Sequence, residues 1–202
     1  MSSPLRQTNR DLDAGSRVAS HSTRTQVRAA RLRSWFENKR PVFLFGFKFA
    51  LMMAFYYALV LTPFCEHLLY SYLSGSAWLA NGLLHLLGQD TSVAAITIRS
   101  ARFAITVRRG CDAIEPAWYF CAAVCAFPAP WRFKLLACLA GTVILQLLNL
   151  LRIVSLYLIG IHYPRFFPTA HLEIWPVLFV LSALVLWAGW ISRLRRNPDA
   201  VA

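Results

Sequence analysis

Three residues of types that can share one reaction stand far apart in the chain: Cys111, Arg152 and His171. A thiol becomes an effective nucleophile when a cation or a histidine lies beside it, because both favour the thiolate. Arginine is permanently charged and can hold the oxyanion that develops when a thiol adds to a carbonyl. Histidine exchanges protons near neutral pH, so it can protonate a leaving amine and then deprotonate an incoming nucleophile. Together the three side chains are sufficient for amide cleavage through a thioester. For that, the fold must bring three helix ends to the same place.

The elements that carry them are those of a membrane protein. The 202-residue chain is 57% hydrophobic and has a formal net charge of +12, a combination a soluble domain of this size would struggle to keep out of aggregates. A spanning helix needs roughly 20 mostly apolar residues. Pro41 to Thr62, Lys134 to Ile159 and Leu172 to Ser192 meet that length. A shorter apolar run from Ile114 to Phe127 starts at Glu115-Pro116 and stops at Pro128-Ala129-Pro130. It can cross only if it continues through Cys111 or the bilayer thins around it. The expected fold is therefore all-α and polytopic, with about four transmembrane helices.

Two elements between the first span and Cys111 are of another kind. From Glu66 to Gly88, the residues His67, Ser71, Ser74, Asn81 and His85 recur at three, four or seven positions, which draws a polar stripe on one helix. That pattern predicts an amphipathic helix that is interfacial or lines a cavity, in preference to a lipid-facing span. From Thr91 to Arg109, Ile96 and Ile98, then Phe103, Ile105 and Val107, alternate on either side of Arg99-Ser100-Ala101-Arg102. Period two with a polar turn predicts a β-hairpin. Residues 1–40 hold nine Lys or Arg against three acids. They read as a basic, disordered cytoplasmic tail held inside by the charge rule, with Arg24 to Asn38 suited to a basic helix on anionic lipid. Residues 197–202 form a short C-terminal tail. With the first tail inside and the amphipathic helix not crossing, Cys111, Arg152 and His171 all fall outside. A five-span topology reverses the side, yet still keeps the three together.

Each signal also has a plain structural reading. Cys65, at the outer end of the first span, makes a disulfide with Cys111 possible in an oxidising compartment. Arg152 can snorkel to the interface, but Gln146, Asn149, Arg152 and Ser155 recur every three residues and line a polar face that lipid would penalise. His171, after Pro168-Thr169, can simply open the last helix. Asp112 and Glu115 flank the thiol and are candidates to orient Arg152 or bind substrate, as is Asn149. Cys121 and Cys125 share a helix face, but no histidine or carboxylate completes a metal site, and no cofactor motif is present. Nor does a nucleic-acid recognition motif accompany the basic tail, so its expected partner is membrane lipid. Two other classes fit the same composition. One is a non-catalytic membrane scaffold, and the other a lipid-modifying or phosphate-modifying enzyme with Arg99, Arg102, Arg108 and Arg109 as anion binders.

Gly110-Cys111-Asp112-Ala113-Ile114-Glu115 ahead of a span, Asn149-Leu150-Leu151-Arg152-Ile153 near the end of the next, and His171 at the start of the last resemble the signature of the exosortase/archaeosortase family, and within it most resemble exosortase H. The resemblance covers about residues 41–196. It implies a membrane cysteine protease or transpeptidase of the bacterial inner membrane, multi-pass, with its active site facing the periplasm. Cys111, Arg152 and His171 would be its catalytic residues. The implied partners are exported proteins with a C-terminal sorting tail, comprising a motif of the Ile-Pro-Thr-Leu type, a hydrophobic helix and a basic cluster.

Overall fold

A computed structural model describes residues 39–196, so the basic tail up to residue 38 and the C-terminal tail from residue 197 lie outside the described residues. Helix α1 runs over Lys39–Val60. The contacts and cavities discussed below all lie within residues 47–196. Helix α2 spans Pro63–Leu86, with Thr62 as its N-cap accepting the Cys65 N–H and Pro63 in its first turn, where a missing N–H costs nothing. Three short strands follow, β1 (Ser92–Ala94), β2 (Thr97–Arg99) and β3 (Ala104–Thr106). Then come α3 (Ile114–Ala126), α4 (Trp131–His162) and α5 (Phe167–Arg196).

The protein is predominantly helical and polytopic, as its hydropathy requires. Helices α1, α4 and α5 are long and apolar enough to cross a bilayer. Their outward faces carry large apolar side chains, among them Phe47, Leu51 and Phe55 on α1, Leu139 and Leu147 on α4, and Leu181 and Val185 on α5. Such a surface is stable only against hydrocarbon. Helix α3, the expected fourth span, has 13 residues and rises about 20 Å, short of a hydrocarbon core of ~30 Å. It is instead wedged among other helices, burying Phe120 and Val124 with Leu145 and Leu156 of α4 and Trp175 and Phe179 of α5. Lys134 closes its C-terminal end by donating to the Cys125 carbonyl at 2.9 Å.

The expected hairpin is a three-stranded antiparallel meander in the order β1-β2-β3. Ile98 faces Ile105 across β2 and β3, as the alternation requires, and Val93 faces Ile98 on the added strand. The first strand escapes a periodicity reading because it is three residues long and turns back at once through Ala95, a left-handed residue. The sheet's apolar side, with Ile98 and Val107 buried, closes on Leu73, Ala77, Ala80 and Leu84 of α2 and on Ile153, Val154 and Tyr157 of α4. The polar stripe of α2 serves this docking in part. Ser74 donates to the Ala95 carbonyl at 3.2 Å and Asn81 accepts from Thr91 at 2.7 Å, while His67 and His85 stay exposed. Helix α4 thus contributes to both cores and carries Arg152 between them.

Candidate active site

The thiol is held by a short loop between β3 and α3. Gly110 has φ of +87°, a conformation that favours glycine, and the Cys111 N–H closes a turn onto the Arg108 carbonyl at 2.9 Å. Asp112 folds back on the same loop, accepting the Ile114 N–H at 3.1 Å, and so supplies the helix cap that Ala113 lacks. The Tyr72 hydroxyl of α2 lies 2.5 Å from the Asp112 carbonyl oxygen and also meets the side-chain amide of Gln146. One phenol therefore links the loop to α2 and α4.

Arg152 projects from the buried face of α4, where Leu145, Asn149, Arg152, Leu156 and Gly160 succeed one another at helical spacing. Its Nη2 lies 3.6 Å from Cys111 Sγ, and its Nη1 donates to the Gly110 carbonyl at 3.3 Å. The guanidinium sits over the Phe179 ring, 5.5 Å from its centroid. It is only 5% exposed, and no described carboxylate forms an ion pair with it. A buried cation held by a carbonyl, a sulfur and an aromatic face is costly to stability, so a chemical role is the economical reason for its presence.

His171 comes from the start of α5. The Trp175 N–H bonds to the Ala170 carbonyl, making residues Ala170–Ile174 a π turn in an otherwise α-helical segment. Pro176 accounts for it, because it has no N–H to donate and its ring crowds the carbonyl one turn earlier. The imidazole stacks on Phe167, with centroids 5.7 Å apart and planes inclined by 17°. Its Nε2 and Nδ1 stand 3.7 and 3.9 Å from Cys111 Sγ. Among the described residues no carboxylate orients this ring, and Phe167 takes that part.

The three side chains share a cavity of about 330 Å³ walled by the Phe103–Arg108 segment, Leu156 and Phe167. Burial pushes the Cys111 thiol up, the Arg152 guanidinium pulls it down, and the Asp112 carboxylate adds to the rise; the net direction is up. The thiolate-favouring effect expected of the cation is thus present and outweighed by burial.

Asp112, Glu115 and Asn149 do not line this cavity. Glu115 accepts the hydroxyls of Tyr57 and Tyr119, each at 3.1 Å, and ties α1 to α3. Asp112 lines a second cavity of about 310 Å³ with Tyr56, Tyr72, Arg109 and Trp118. Asn149, 1% exposed, lies one turn before Arg152, and its Oδ1 has no described partner. Cys65 and Cys111 are both free and line different cavities. The described residues contain no cluster of three metal-ligating side chains. Cys121 meets Thr142 at 3.6 Å within the α3–α4 seam, a packing role. Tyr72, Phe103 and Phe167 are site residues that polarity patterns do not flag, since each is an aromatic in an apolar context.

A profile of the transmembrane exosortase family matches residues 40–188. The chain belongs to that family. Its matched segment contains all three residues around the cavity. No curated protein and no solved structure matches the chain.

Proposed function

We propose that this exosortase-family protein is a membrane-embedded cysteine peptidase or transpeptidase that removes C-terminal sorting tails from exported proteins. The observation that carries the reading is the convergence of Arg152 Nη2 and His171 Nε2 on Cys111 Sγ, at 3.6 and 3.7 Å, in one cavity. His171 takes the thiol proton as Cys111 adds to the peptide carbonyl. Arg152, already against the sulfur, stabilises the oxyanion formed on the carbon bonded to it. The C–N bond then breaks, the leaving amine takes the proton from His171, and a thioester remains on Cys111. Water or an acceptor amine attacks that thioester, giving its proton to His171, and the thiol is restored. The tail would carry an Ile-Pro-Thr-Leu type motif, with the enzyme in a bacterial inner membrane and the site on the periplasmic side. The hairpin arginines support a phosphate-handling reading less well. Arg108 lines one cavity, Arg109 the other, and Arg99 and Arg102 neither.

The test is processing of a co-produced reporter bearing such a tail by wild type and by Cys111→Ala at matched membrane abundance. Cleavage by wild type alone supports the reading. Equal cleavage by both removes Cys111 as the nucleophile.

A further inference from the structure

The cavity that holds the thiol is walled along one side by the whole of β3, and β3 is the end strand of its sheet. The direction of its backbone groups follows from the register. Thr97 faces Thr106, Ile98 faces Ile105 and Arg99 faces Ala104. At the two ends of this ladder, the Ser100 N–H donates to the Phe103 carbonyl and the Val107 N–H to the Ile96 carbonyl, both at 2.9 Å. Antiparallel pairs alternate between bonded and non-bonded, so Phe103, Ile105 and Val107 turn their N–H and C=O groups toward β2. Ala104 and Thr106 turn theirs away, and no described residue bonds to them. An edge left open in this way is a template for one more strand.

We propose that the substrate's cleavage segment binds as an extended strand on the free edge of β3, bonded to the backbone of Ala104 and Thr106, and is thereby drawn along the cavity to Cys111. This rests on the acyl-transfer reading above. A cysteine nucleophile needs its target carbonyl in an extended, accessible chain, and β3 leads within the same cavity to the loop that carries the thiol. The occupant is an extended peptide without basic residues, because Arg102 precedes this edge and Arg108 follows it, and both are exposed. Apolar side chains on one face of the added strand would meet Leu156, Ile153 and Phe167 in the cavity wall. Main-chain bonds would then hold the segment, while the cavity selects its side chains.

Thr106→Pro and Ala104→Pro each delete an outward N–H while sparing the inner ladder, a placement proline tolerates in an edge strand. Initial cleavage of the reporter tail is measured in membranes beside the rate of Cys111 alkylation by a small maleimide. Each variant is expected to cut about threefold to tenfold more slowly, the effect of one lost backbone hydrogen bond, with alkylation unchanged. Wild-type cleavage by both variants overturns the edge proposal and leaves the acyl-transfer reading standing. Slower alkylation in step with slower cleavage assigns the loss to a damaged site and also overturns it. A wild-type protein that leaves the tail intact overturns the proposed function and this mode of binding with it.

Discussion

Replacing Arg152 by Gln removes a full charge 3.6 Å from the Cys111 sulfur, and the structure fixes the sign of the result. Burial and the Asp112 carboxylate both push the thiol up, and Arg152 is the influence that opposes them. Without it the thiolate population at any pH below the titration midpoint must fall. Coulomb's law at 3.6 Å gives about 1 kcal/mol in a water-like medium and about 5 kcal/mol at an effective dielectric constant of ~20. Arg152 is buried and the thiol is shielded by its surroundings, so the lower figure is a floor, and ~1 kcal/mol is about fivefold in population. Alkylation of Cys111 by a neutral maleimide, followed by mass spectrometry from pH 6 to 9, should therefore slow at least about fivefold at pH 7 in Arg152→Gln. Its rate profile should move to higher pH, whereas Arg152→Lys should keep most of the wild-type rate. The same Gln variant should unfold no earlier than wild type, since a buried cation without a carboxylate partner adds little to stability. Wild-type alkylation by the Gln variant across that pH range would refute the electrostatic coupling.

Further outcomes follow from the loop and the sheet. Burial holds the Asp112 carboxyl above its ordinary range, so the folded state favours its protonated form; that contribution is complete below the unfolded value and is lost as pH rises through the folded one. Asp112→Asn should accordingly raise the thermal midpoint at pH 7 by about a few degrees, with the gain vanishing below about pH 4, and should speed Cys111 alkylation. A Cβ on Gly160 would overlap the Phe103 ring, so Gly160→Ala should cost about 1–3 kcal/mol in thermal unfolding. Gly189→Ala, where nothing stands within 4 Å of the added carbon, should cost nothing in the same assay.

The sequence made some of this legible for physical reasons. Spanning helices declare themselves through length, and α1, α4 and α5 lie where the long apolar runs do. Arg152 was legible because Gln146, Asn149 and Ser155 put it on a polar face, which in an apolar helix implies burial against protein. His171 had no such support from periodicity. Its placement depends on the π turn, and Pro176 was the available signal. Strand β1 was too short to show a period. Tyr72 carries its single polar atom on an aromatic ring, so its hold on the Cys111 loop depends on tertiary contact. Phe103 inside the Gly160 notch, stacked edge to face on Phe167, is likewise a three-dimensional fact. Glu115 was singled out by its proximity in sequence to Cys111, and its two tyrosine partners are a tertiary contact that no local pattern announces.

The central claim is that Cys111 forms a thioester with the exported protein. The measurement that tests it most directly is intact-mass and peptide analysis of the enzyme quenched in acid during turnover of the tailed reporter. The account predicts a reporter fragment attached at Cys111, released by neutral hydroxylamine and absent from Cys111→Ala. Continued tail cleavage with no adduct at Cys111, or an adduct at another residue, would contradict it.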